Sequence, residues 1–69
     1  MATQAHRIEI RKYVVSHNGT GKCVYITYAP SEIAALDEYA SDRSGYATHT
    51  EMARSATFRE AANVSASRA

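Results

Sequence analysis

The stretch Ser16 to Cys23, "SHNGTGKC", gathers a histidine, a lysine, a thiol and two glycines within one short segment. Three chemistries could use such a set: phosphate binding, nucleophilic catalysis or metal ligation. A phosphate-gripping P-loop has the pattern G-x-x-x-x-G-K-[ST] between a strand and a helix. Gly21 and Lys22 match its final G-K, but Ser16 stands at the first glycine and Cys23 at the magnesium-binding hydroxyl. The residues after Cys23, "VYITY", have a strand pattern, so no helix N-terminus converges on a phosphate there. The stretch is therefore read as a turn. A Cys23–His17 nucleophile pair needs hydrogen-bond reach, an orienting third group and a cleft, and a two-stranded ribbon supplies no cleft.

The other titratable groups are no better placed for catalysis. Asp37 and Glu38 are sequence neighbours, which do not face one another on a helix, whereas Glu38 and Asp42 are four apart and do. They read as a solvated helix face. Cys23, His6, His17 and His49 form the Cys/His pool, without the close paired spacing of a structural zinc site. The expectation is a non-enzymatic chain with no cofactor and no metal.

Binding chemistry is better supported. Arg11, Tyr13 and Tyr25 are expected on one face of a β-ribbon, with Arg7, Glu9 and Val15, and Lys22 at its turn. Tyrosine and arginine are enriched in protein–protein hot spots. The acidic block Glu32, Asp37, Glu38 and Asp42 offers a second surface, suited to a basic site on a partner. Basic residues between stacking aromatics also suit single-stranded nucleic acid, which is the alternative reading. Against it, net charge is only +1, and Glu9 interrupts the patch, where nucleic-acid binders carry a strong positive footprint.

These side chains must be positioned by a few short elements. "HRIEIRKYVV" alternates, with Ile8, Ile10 and Val14 on one side and Glu9, Arg11, Tyr13 and Val15 on the other. "KCVYITY" alternates likewise, Val24, Ile26 and Tyr28 against Cys23, Tyr25 and Thr27. With the turn-rich "SHNGTG" between them they predict a β-hairpin. A two-residue Asn18-Gly19 loop would pair Val14 with Cys23 and mix the faces. A longer odd loop, pairing Val14 with Val24, Lys12 with Ile26 and Ile10 with Tyr28, or a bulge at Gly21, keeps the apolar residues together. That aliphatic face is expected to be the core face, because a lone hairpin is unstable in water.

A helix from about Ser31 to Asp42 should cover it, with Ser31 as cap, Gly45 as stop and Ile33, Leu36, Tyr39 and Ala40 as its apolar stripe. Thr48 to Glu51 matches a capping box and predicts a second helix, about His49 to Ala62, with a short third strand around "SATFR" as its competitor. The fold class is α+β: an antiparallel hairpin, with room for a third short strand, packed on one well-marked helix, plus a second helix towards the C-terminus.

Sixty-nine residues make one domain, 1–69, with 1–5 and 63–69 expected to fray. So small a chain buries only about 60% of its unfolded surface. A single cysteine allows no intrachain disulfide, so association, as a homodimer or with a protein partner, is the remaining source of stability. A lone cysteine, no signal-like start and no apolar run of membrane-spanning length lead to the expectation of a cytoplasmic protein without membrane contact. The functional expectation is a small protein-binding module, a phage or mobile-element accessory protein that inhibits a host enzyme or defence complex by occupying a surface. If phage-encoded, it would act in the host cytoplasm.

Overall fold

The computed structural model describes residues 8–69; expectations for His6, Arg7 and a frayed 1–5 lie outside the described residues. The elements run β1 (Arg11–His17), β2 (Cys23–Ala29), α1 (Glu32–Ser44), α2 (His49–Arg54) and β3 (Val64–Arg68). The strands form an antiparallel sheet in the order β2-β1-β3. The fold is α+β, with the hairpin and the long helix as expected.

Each element starts and stops for a local reason. The Ser31 hydroxyl accepts the Ala34 amide at 3.1 Å, and Gly45 at φ 83° ends α1 by returning its N–H to Ser41 O. Thr48 caps α2 by accepting the Glu51 amide at 3.2 Å. The capping box is real, but α2 stops at Arg54, and residues 55–63 are turns and a short connection, where the sequence predicts helix to about Ala62. Neither helix nor strand forms at "SATFR". The third strand lies later, at Val64–Arg68, in the segment expected to fray.

The hairpin register explains the second glycine. His17 donates its N–H to Lys22 O at 2.8 Å, and Gly21 donates back to His17 O at 2.7 Å, with Gly21 at φ 75°. This leaves Asn18 to Gly21 as an even loop. Continued unchanged, that register would set Val14 opposite Tyr25 and mix the faces. A bulge resolves it: Ser16 pairs with Cys23, but Val15 pairs with Tyr25 and Val14 with Ile26, so Val24 is the extra residue. The faces match as expected, but by neither expected device: the loop is even and the bulge lies at Val24, not at Gly21, so Val14 meets Ile26 in place of Val24 and Lys12 meets Tyr28 in place of Ile26.

The main correction concerns which face is covered. Tyr13, Val15 and Ala29 are buried under the helices with Ala35, Tyr39, Ala40, Met52, Ala62 and Val64, and Tyr25 packs against them. Ile8, Ile10, Ile26 and Tyr28 are exposed, and so is Ile33, expected in the buried stripe of α1. The covered face is thus the one expected to face solvent. Three facts hold it there. Tyr39 donates its hydroxyl to Ala61 O at 2.6 Å while its ring lies 5.7 Å from that of Tyr25. Thr27 reaches Glu38 of α1 at 2.6 Å. On β3, Val64 and Ala66 lie beside His17 and Val15, whereas Ser65 and Ser67 lie beside Ser16 and Val14.

Met52 is the largest fully buried side chain. Truncating a buried methionine typically costs about 2–5 kcal/mol, against a total stability of roughly 3–10 kcal/mol for a chain of this size. Met52→Ala should therefore remove a large share of the stability and lower the melting temperature by about 10 °C or more, whereas Ile33→Ala should change stability by less than about 0.5 kcal/mol. Thermal melts followed by circular dichroism compare the two, and a large loss for Ile33→Ala would restore the expected helix stripe.

Candidate protein-binding surface

The loop Asn18 to Gly21 uses its polar groups internally. The amides of Asn18, Gly19, Gly21 and Lys22 donate to Asn63 O, His17 Nδ1, His17 O and Thr20 Oγ1 respectively. Asn18 also donates its amide side chain to Asn63 at 2.9 Å and accepts from the Ser65 hydroxyl at 2.6 Å, tying the turn to β3. Backbone donors committed in this way do not cradle a phosphate.

His17 is equally committed. Because the Gly19 amide donates to Nδ1 at 3.1 Å, the ring proton sits on Nε2 and faces Glu60 at 3.1 Å. Cys23 is exposed, with its thiol 3.7 Å from Tyr25 O. His49 is tied into the fold as well: its backbone N–H donates to Asp37 at 2.8 Å, and its Nε2 lies 2.7 Å from Ala62 O, joining α2 to the segment before β3. Among the described residues no group of three His, Cys, Asp or Glu side chains is arranged to hold a metal ion. An open groove of about 390 Å³ runs past His17, Tyr39, Arg43, Thr57 and Glu60, without a nucleophile poised against a base.

The residues expected to bind protein are scattered by the fold. Tyr13 is only 5% exposed and is core, so it is not an exposed anchor. Tyr25 is half-buried against Tyr39. Arg11 is exposed and ion-paired with Glu9. The acidic block divides: Asp37 accepts the first amide of α2, Glu38 accepts from Thr27, and Glu32 and Asp42 stay exposed. Asp37 acts on the fold, since a carboxylate at a helix N-terminus satisfies an orphan donor. With Tyr13 buried, the aromatic platform that the nucleic-acid alternative requires does not form on this face.

What the fold presents instead is the opposite face of the sheet. Strand alternation puts Lys12, Val14 and Ser16 of β1, Ile26 and Tyr28 of β2, and Ser65 and Ser67 of β3 away from the helices. Ile26 is 52% exposed and Tyr28 64%, with Val14 half-buried between strands. Ile8 and Ile10, just ahead of β1, are exposed too. Among the described residues nothing packs on this face. Its apolar part is visible in the sequence as the aliphatic alternation, which by itself reads as core.

Comparison with protein-family models, curated proteins and solved structures finds no match to this chain. Among the described residues, no helix is long and apolar enough to cross a membrane.

One titration reports on the covered face. Burial, and then the nearby charges of Asp42 and Glu38, push the Tyr25 phenol above the usual tyrosine range. Its folded pKa is raised, so its contribution to stability is complete below about pH 10 and is lost as pH rises through the folded value. In the phenolate absorbance difference between the protein and its Tyr25→Phe variant, Tyr25 should ionise late. Asp42→Asn should bring it down only partway, because burial is the larger cause. An ordinary tyrosine titration would place Tyr25 in solvent.

Proposed function

We propose that this chain is a non-catalytic protein-binding module that acts by occupying a surface of its partner with the open face of its sheet. The observation that carries the reading is the exposure of Ile26 and Tyr28 beside half-buried Val14, with Ile10 exposed just ahead of β1. Contiguous apolar surface on a small protein marks interaction sites, and aromatic anchors ringed by polar residues are the usual hot-spot arrangement. Lys12, Ser16, Ser65 and Ser67 supply the polar surround here. This face replaces the Arg11, Tyr13, Tyr25 surface and the acidic block as the binding element.

The finer form of the proposal is inhibition: a phage or mobile-element accessory protein that blocks a host enzyme or defence complex in the cytoplasm. A sheet face with apolar groups in a polar surround suits steric block, because it needs to cover a surface and not to transform a substrate. Single-stranded nucleic acid is the competing ligand, and it would have to use Lys12 and Tyr28.

Pull-down with mass identification tests the reading. The expected result is a stoichiometric protein partner that is retained by the native chain and lost by the double variant Ile10→Ser, Tyr28→Ser. Both residues are exposed, so that variant should keep its stability to within about 0.5 kcal/mol per site. Equal capture by the variant removes this face from function. Tight oligonucleotide binding that falls steeply with salt would put nucleic acid in the protein partner's place.

A further inference from the structure

The outer edge of β2 is a second unoccupied surface, and its backbone orientation follows from bonds at both ends of β1. Ala69 donates to Lys12 O at 3.1 Å and Asn18 donates to Asn63 O at 2.9 Å, so the even-numbered residues of β1 turn their amides towards β3. His17 donates to Lys22 O, so the odd-numbered ones turn towards β2. Arg11, Tyr13 and Val15 thus bond Ala29, Thr27 and Tyr25. By alternation, the N–H and C=O groups of Ile26 and Tyr28 point outward from the sheet. Among the described residues no strand pairs with that edge.

Natural edge strands are blunted by charge, proline or brevity. The sequence Cys23–Ala29, "CVYITYA", has no charge and no proline within it, and is seven residues long. Its bulge at Val24 disturbs only one end. The other edge is different: β3 is five residues, built of valine, serine and alanine, and carries Arg68.

We propose that two copies of this chain pair antiparallel along β2, with the two-fold axis between Thr27 of one copy and Thr27 of the other. This register avoids the bulge and uses both outward-facing residues. Ile26 of each copy exchanges two backbone hydrogen bonds with Tyr28 of the other. On the open face the same register sets isoleucine against tyrosine twice, a favourable β-branched–aromatic pair. A second copy suits this edge because an uncharged strand offers no charge pattern for choosing a different partner. Pairing about its own two-fold needs none, since the contact is self-complementary.

The seam has a limited size. Two short strands bury less than the ~1,600 Å² of a standard interface, so the dimer is a weak one whose population depends on concentration. On the helix side Glu38, held by Thr27, comes near its own copy across the axis, a repulsion that salt screens. The product is a six-stranded sheet with all helices on one side. The two Ile26–Tyr28 patches then merge into one platform on the other side. The pairing is independent of which protein occupies that platform.

Cross-linking and hydrogen exchange test the seam. Thr27 of each copy forms a non-hydrogen-bonded pair, where Cα atoms approach to about 4.5 Å, within disulfide range. On a Cys23→Ser background, Thr27→Cys should give a covalent dimer of twice 7.6 kDa under mild oxidation, whereas Ser67→Cys should not. In the native chain, sedimentation across a concentration series should show monomer giving way to dimer, more readily at higher salt. The amides of Ile26 and Tyr28 should gain exchange protection in step. A 7.6 kDa species at every concentration overturns the proposal. So does a dimer in which those two amides stay unprotected, or protection that ignores concentration, which would mean a segment of the same chain covers the edge. A persistent dimer that captures no protein would leave the seam standing and remove the binding function proposed above.

Discussion

The fold depends on one extra residue. The Asn18–Gly21 loop, closed by Gly21 in the left-handed region, brings His17 opposite Lys22. Carried down the ribbon, that register would put Tyr25, Thr27 and Ala29 on the side away from Tyr13 and Val15. Val24 bulges, the register advances by one, and every later residue of β2 changes face relative to β1. The Tyr25–Tyr39 contact, the Thr27–Glu38 hydrogen bond and the burial of Ala29 against Ala35 all lie beyond the bulge and depend on it.

The core assembled in this way is built of small and aromatic side chains. Ala29, Ala35, Ala40 and Ala62 let α1 and the 55–63 connection approach the sheet closely, and Tyr13, Tyr39 and Met52 fill the remaining space. Tyrosine serves here because its hydroxyl finds a partner, as Tyr39 does at Ala61 O. Meanwhile every isoleucine of the chain, Ile8, Ile10, Ile26 and Ile33, is more than half exposed. A chain of this size gains stability mainly from apolar burial, so with its strongest aliphatic residues outside the core it draws that burial from alanine, valine, tyrosine and methionine instead.

The sequence made the local elements legible and hid the tertiary choice. Caps at Ser31 and Thr48, the stop at Gly45 and the hairpin were readable, because each is decided by neighbours a few residues away. That a simple two-residue turn would mix the faces was readable from parity, but parity is restored equally by an odd loop or by a bulge, so neither the device nor its position at Val24 was readable. The face was not readable, since both sides of the hairpin are apolar enough to be core. The discriminating signal lay in "VSASR", which on its own resembles a frayed tail. Its serines at 65 and 67 fall beside Ser16 and Val14, and its Val64 and Ala66 fall beside His17 and Val15. A strand that alternates small apolar with serine declares which side of its neighbour is wet. The Asp37–His49 link was hidden for a related reason: a carboxylate in a helix sequence gives no sign that another helix begins against it.

The open face and the open edge are consequences of one arrangement. With β1 central, β2 can be covered by helices on one face only and by a strand on one edge only. Ile26 and Tyr28 sit at the corner where both remain uncovered, with side chains on the open face and backbone groups on the open edge. Burying only the side chains would leave a row of amides and carbonyls at the rim of an apolar contact, where losing water without a partner is costly. Pairing only the edge would leave two apolar patches side by side in water. In the proposed dimer, satisfying the edge first would remove the polar obstacle and double the apolar platform, so strand pairing and face docking would reinforce each other. A monomer docking its face alone would have to keep the Ile26 and Tyr28 amides wet at the margin of the contact, and that requirement limits the shape of any partner it could accept.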